Sequence, residues 1–134
     1  MRVLIDTNIL VSAALNGSGV PYKAYEKAVT YPNHGVICDQ NIDELRRVFN
    51  RKFPDKIQVL ERFLALALTV LEVVTTPPIE IEDEAKVRDR TDRPILRAAV
   101  RSKVDVLLTG DRDFLESGLK HPRIMRASDF LQPQ

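Results

Sequence analysis

Residues 1–10 read MRVLIDTNIL, and their reading decides the fold. Val3-Leu4-Ile5 has the continuous apolar character of a buried strand, expected over residues 2–6. Asp6 follows, then Thr7 and Asn8, and apolar residues resume at Ile9, Leu10 and Val11 as a helix expected over 8–15. Gly17-Ser18-Gly19 closes that helix. A strand running straight into a helix is half of a βαβ unit, and the joint carries a carboxylate where burying a charge is costly. Asp6-Thr7-Asn8 either simply starts the helix or places an acid where chemistry needs one.

The same alternation continues outward. Pro21 suits the first turn of a helix over 21–30. Tyr31 to Gly35 reads as a turn and Val36-Ile37-Cys38 as a second strand. Asp39 is the expected N-cap of a helix to Lys52, with Ile42, Leu45, Val48 and Phe49 on one face. A helix over 55–69 and a strand over 70–75 follow, ended by Pro77-Pro78. Residues 79–91 are polar, and Ile95 to Arg101 is helical again. Residues 104–109 form a buried type of strand, Ile124-Met125 a last short one, and Ser128 caps a final turn. Short apolar strands alternating with helices give an α/β fold with a mainly parallel sheet. Ligands of such sheets bind beyond the carboxyl ends of the strands, where the strand order reverses.

The length of 134 residues, without repeats or linkers, is that of one domain spanning 1–134. With 20 basic and 19 acidic residues the net charge is +1, so a polyanion would have to be held by local patches. The one cysteine, Cys38, excludes an internal disulfide, reads as a small core residue and fits a cytoplasmic location. Asp6 interrupts the first apolar segment, so no signal peptide is expected, and no apolar run is long enough for a membrane span.

Four more acids sit at element boundaries. Glu44 lies early in the helix ending at Lys52, Asp92 opens the Arg93-Pro94-Ile95 helix, and Asp111 and Asp113 follow the 104–109 strand. Each has an ordinary reading taken alone. Asp92 would favour a helix dipole, Glu44 would be a solvated helix acid, and Asp111 and Asp113 would be turn residues. Together they carry a different meaning. Carboxylates about 4 Å apart repel by roughly 4 kcal/mol per pair at an effective dielectric near 20, and a divalent cation removes that penalty. An all-oxygen donor set selects a hard ion, Mg²⁺ or Mn²⁺, which serves phosphoryl chemistry.

The pattern resembles the PIN-domain family of metal-dependent ribonucleases, and within it the VapC-like toxins of toxin–antitoxin pairs. The resemblance is carried by Val3-Leu4-Ile5-Asp6-Thr7-Asn8-Ile9-Leu10, by Ile42-Asp43-Glu44-Leu45, by Asp89-Arg90-Thr91-Asp92-Arg93-Pro94-Ile95-Leu96 and by Val104 to Phe114. It implies a Rossmann-like, three-layer α/β/α fold with the acids at the carboxyl edge of its sheet. It also implies hydrolysis of single-stranded or loop RNA to leave a 5′-phosphate. On this pattern the catalytic acids are Asp6, Glu44, Asp92 and Asp111. Asp6, Asp92, Asp111 and Asp113 would hold Mg²⁺ or Mn²⁺, Glu44 would position or deprotonate water, and Asn8 and Thr109 would orient the carboxylates. A homodimer and a cognate antitoxin partner are further implications.

Basic residues surround these acids. Arg47, Arg51, Lys52 and Arg93 are the candidates for gripping RNA phosphates; a solvated face with intrahelical ion pairs is the other reading. A dehalogenase-like phosphatase would need a second acid two residues after Asp6, where Asn8 stands, and a receiver domain would need an acidic neighbour there. A non-catalytic PIN-type module binding RNA or protein remains the alternative, and such modules usually lack one of the acids that are all present here.

Overall fold

The computed structural model describes residues 1–133. Five parallel strands form one sheet in the order β3-β2-β1-β4-β5. They are β1 (Arg2–Ile5), β2 (His34–Cys38), β3 (Glu72–Val74), β4 (Val106–Leu108) and β5 (Arg123–Met125). The helices are α1 (Thr7–Leu15), α2 (Val20–Val29), α3 (Asp39–Lys52), α4 (Ile57–Ala67), α5 (Arg93–Arg101), α6 (Arg112–Leu115) and α7 (Ala127–Phe130). Short 3₁₀ turns cover Pro54–Lys56, Glu82–Lys86 and Arg90–Asp92.

The strands are apolar throughout because both faces of the sheet are covered, as parallel sheets require. Their side chains alternate between two cores. Val3, Ile5, Ile37, Val106, Leu108 and Met125 face one side, where α1, α2, α3, α4 and α7 contribute Leu10, Ala28, Phe49, Leu64 and Phe130. Leu4, Val36, Cys38 and Leu107 face the other, packing on Ile95, Leu96 and Ala99 of α5 and on Phe114 of α6. This is the three-layer α/β/α architecture expected. Among the described residues no helix is long and apolar enough to cross a membrane.

The boundaries shift where backbone hydrogen bonds go elsewhere. The expected 70–75 strand shortens to Glu72–Val74 because the Thr69, Val70 and Leu71 amides donate to Leu66 and Ala67 carbonyls, closing the end of α4. Val104 likewise donates to Ala99 at the end of α5, so β4 begins at Val106. Strand β2 starts earlier than expected, at His34, which pairs with Arg2. Gly35 there meets Val29 and Leu71, whose side-chain carbons would lie 2.8 Å from a Cβ. Two caps also differ from expectation. Cys38, not Asp39, caps α3, since the Asn41 side chain accepts from the Cys38 amide at 2.9 Å. Asp39 instead accepts from the Thr76 amide and hydroxyl, tying α3 to the segment after β3. Arg126, not Ser128, caps α7.

Chain order reverses at β1, which has β2 on one side and β4 on the other. The crevice beyond the carboxyl ends of β1 and β4 is therefore the switch point of the sheet. A buried polar chain braces it: Asn41 Nδ2 donates to Thr7 Oγ1 at 3.0 Å while Asn41 Oδ1 accepts from Cys38. Both residues are almost fully buried. Asn41→Ala should strip these groups of their partner and destabilise the protein by about 1–3 kcal/mol in urea denaturation. An unchanged midpoint would show that the brace contributes nothing.

Candidate metal and catalytic site

Asp6 stands at the end of β1 and caps α1. Its own amide extends the strand by donating to the Leu108 carbonyl at 2.9 Å. Its carboxylate accepts from the Thr7 amide at 2.8 Å and from the Thr109 hydroxyl at 2.7 Å. It thus fills both roles left open by the sequence, starting a helix while presenting a buried carboxylate at the switch point. Each of its oxygens keeps a further lone pair.

Thr109, fully buried, links the two central strand ends. It donates to Asp6, accepts from the Asp111 amide at 3.0 Å, and its own amide donates to the Met125 carbonyl at 2.9 Å. Asp111 caps α6 by accepting from the Asp113 amide at 2.9 Å. Asp113 is ion-paired with Arg88, whose Nε donates at 2.7 Å. Asn8, exposed, reaches Gly110 rather than Asp6, its Oδ1 accepting from the Gly110 amide at 3.5 Å. The residue that touches the first acid from this turn is Thr7.

Asp92 differs from its neighbours. It is only 9% exposed, and its Oδ2 has no hydrogen-bond partner among the described residues. Carboxylate oxygens of Asp89, Asp92 and Asp113 lie within 4.8 Å of one another. Asp89 joins this cluster, an acid that the sequence places only within the Asp89-to-Leu96 stretch and not among the expected ligands. It is oriented by accepting from the Thr91 amide and hydroxyl at 3.0 and 2.8 Å. The Asp-x-Thr spacing, a side-chain-capped turn, was the available signal.

The protonation equilibria record the crowding. Burial pushes Asp6 up to about 6 against the hydrogen bonds of Thr109 and Thr7, with Glu44 and Asp111 adding to the rise. Burial, then the neighbouring Asp111 and the charges of Asp6 and Asp89, hold Asp92 well above the ordinary carboxylate range. Half-buried Glu44 is raised by burial, eased by Arg47, and raised again by Asp111 and Asp89. The field therefore joins acids from β1, α3, the 90–92 turn and the loop after β4. An orphaned buried oxygen among carboxylates, with only oxygen donors around it, fits a hard divalent cation.

The basic candidates separate. Arg47 and Arg51 line a groove of about 420 Å³ with Gln40, Glu44, Thr91 and Pro94. Lys52 is exposed at the end of α3. Arg93 lies elsewhere, donating to the Val87 carbonyl at 2.9 Å and lining a pocket with Glu80, Glu84, Arg90 and Arg97. Arg46, Arg88 and Arg97 are committed to Glu61, Asp113 and Glu84, ion pairs that join separate segments of the chain rather than the intrahelical pairs expected of a solvated face.

Comparison with known proteins agrees with this architecture. The family model of the PIN domain matches residues 2–113. An uncharacterized protein of Methanocaldococcus jannaschii, MJ1680, is 25% identical over 120 residues, covering 86% of this chain and 74% of its own. VapBC2 from Rickettsia felis, solved bound to a DNA fragment from their promoter, superposes with a TM-score of 0.71 at 18% identity, covering 94% of this chain and 98% of that one. PAE2754 from Pyrobaculum aerophilum gives 0.65 at 19% identity over 96% of this chain and 85% of its own. VapC20 of Mycobacterium tuberculosis, described as a Sarcin-Ricin loop cleaving toxin, gives 0.61 at 15%, covering 87% and 95%.

The raised acids make stability depend on pH in a defined direction. Asp6 is protonated below about 6 in the folded state but titrates near 3.8 when free, so the folded state holds the extra proton between these values. Stability of the metal-free protein then falls as pH rises through that window, by roughly 3 kcal/mol from Asp6 alone, and Asp92 extends the fall upward. In EDTA the melting temperature should be higher at pH 5.5 than at pH 8. Mn²⁺ should flatten the profile by raising the pH 8 value, and Asp92→Asn should raise the EDTA value and shrink the Mn²⁺ effect. A profile rising toward pH 8 without metal would contradict the assignment.

Proposed function

The chain belongs to the PIN-domain family, and from that premise we propose that residues 1–134 form one divalent-metal-dependent endoribonuclease unit, the toxin of a toxin–antitoxin pair acting in the cytoplasm. The unpaired, buried Asp92 oxygen among converging carboxylates carries this reading. The VapC20 likeness, to a protein described as cleaving the Sarcin-Ricin loop, supports RNA as the substrate class. The likeness to VapBC2 supports the VapC assignment from which a cognate antitoxin and a homodimer follow.

Asp92, Asp89 and Asp113, with Asp6 and Asp111, are the residues that would hold Mg²⁺ or Mn²⁺. When bound, the ion neutralises these carboxylates, polarises a phosphate and eases deprotonation of water. The chain's own groups do the rest. Thr7 and Thr109 fix the Asp6 carboxylate, and Thr109 also fixes the Asp111 backbone. Glu44, whose carboxyl burial raises from its ordinary value and so makes more basic, takes the proton of the attacking water. The new P–O bond forms as the bond to the 3′-oxygen breaks, leaving a 5′-phosphate and a 3′-hydroxyl protonated from solvent. Arg47 and Arg51, beside Glu44, hold the phosphate backbone.

The test is cleavage of labelled RNA by the purified protein, whose dimeric state light scattering reads on the same sample. Wild type should cut in Mn²⁺ and not in EDTA. Asp6→Asn and Asp92→Asn should each lose about a hundredfold or more, the scale of one key electrostatic group. Thr109→Val should lose less, since it removes the hydroxyl that orients Asp6 and the Asp111 backbone but leaves every carboxylate in place. A folded Asp92→Asn protein cutting as fast as wild type would overturn the proposal.

A further inference from the structure

Two grooves flank the acids on opposite sides of β1. The groove with Arg47 and Arg51 opens beside α3, which follows β2. A second groove, of about 360 Å³, lies where α1 and α2 meet the loop after β4 and the start of α7. Its lining includes Asn8, Ser12, Val20, Gly110, Arg126 and Ser128. With the strand order β3-β2-β1-β4-β5, the end of β1 and its Asp6 lie between the two. Gly110 separates Thr109 from Asp111, so the second groove begins where the acids end.

We infer that this second groove is a nucleotide subsite, in which Arg126 grips a backbone phosphate across the acids from Arg47 and Arg51. The inference rests on the nuclease reading and extends it to a strand path. Arg126 is exposed and makes no ion pair among the described residues, whereas Arg2, Arg46, Arg88, Arg97 and Arg112 are each taken by a carboxylate. Its backbone is nonetheless fixed. It follows Met125, whose carbonyl accepts from the Thr109 amide at 2.9 Å, and its own carbonyl accepts from Phe130 at 2.9 Å. The residue that holds Asp6 thus also anchors the base of Arg126, while the guanidinium is left for an anion. Val20, 46% exposed, offers an apolar surface to a sugar or base, and the Ser12 and Ser128 hydroxyls offer polar contacts. Cationic head, apolar wall and hydroxyls match one unit of a single-stranded nucleic acid.

The test is fluorescence anisotropy of a labelled single-stranded oligoribonucleotide with the full chain in EDTA, over a range of salt. Arg126→Ala should bind about tenfold more weakly at low salt, the scale of one charged hydrogen bond. The slope of log affinity against log salt should shrink by about 0.7, one phosphate contact on a single strand. Ser128→Glu, which adds an anion to the same groove, should also weaken binding and serves where Arg126→Ala does not fold. If both variants bind as wild type with unchanged slopes while wild type cuts RNA in Mn²⁺, the subsite is wrong and the nuclease reading stands. A wild type that neither binds nor cuts RNA overturns both.

Discussion

Like charge held at short range is the constraint around which the carboxyl edge of this sheet is organised. The backbone brings Asp6, Glu44, Asp89, Asp92, Asp111 and Asp113 into one field from four different segments of the chain. Repulsion of a few kcal/mol per close pair is large beside the 5–15 kcal/mol of stability typical of a folded domain. The site therefore persists only because the surrounding packing over-determines it. Two cores clamp β1 from both faces, and the Thr7–Asn41–Cys38 chain locks the turn that carries Asp6 to the start of the helix that carries Glu44.

Hydrogen bonds answer most of this repulsion, and where they stop is informative. Asp6 accepts from Thr7 and Thr109, Asp89 from Thr91, and Asp111 from the Asp113 amide, while Asp113 has Arg88. Asp92 alone is left with a buried oxygen and no donor among the described residues. A structural acid would have been given a partner, since an unmet buried carboxylate oxygen costs more than the hydrogen bond it lacks. The deficit is thus concentrated at one residue, Asp92, which also shares the cluster with Asp89 and Asp113, where a cation would remove it.

Most of the fold was legible because it rests on local pattern. Continuous apolar runs marked the buried strands, and helical spacing marked α3, so element order and the parallel sheet followed from the chain itself. Errors gathered where a distant group decides. Nothing local shows that Thr76 draws Asp39 away from the cap of α3, whereas the bond from the Cys38 amide to Asn41 spans a single turn and is a local signal. The same limit applies at the site. Asp6 and Asp111 were visible as strand-end acids, but Asp89 was only one residue of the stretch before the α5 helix until the 90–92 turn set it beside Asp92. Arg93, next to Asp92 in sequence, turns to the Val87 carbonyl, whereas Arg126, far in sequence from the site acids, lines a groove with Asn8 and Gly110 because it follows β5.

The central claim is that the acid cluster carries extra protons because burial, and then the repulsion of acids short of positive charge, disfavours its charged form. Calorimetric titration of Mn²⁺ into the metal-free protein at pH 6.5, repeated in two buffers of different ionisation enthalpy, measures this directly. Saturable binding with release of roughly one proton per ion is the predicted result, since the metal must displace the proton that burial and repulsion retain. Asp92→Asn should remove most of the binding and the proton release together. Mn²⁺ binding that is absent, or that proceeds with no proton released, would contradict the account.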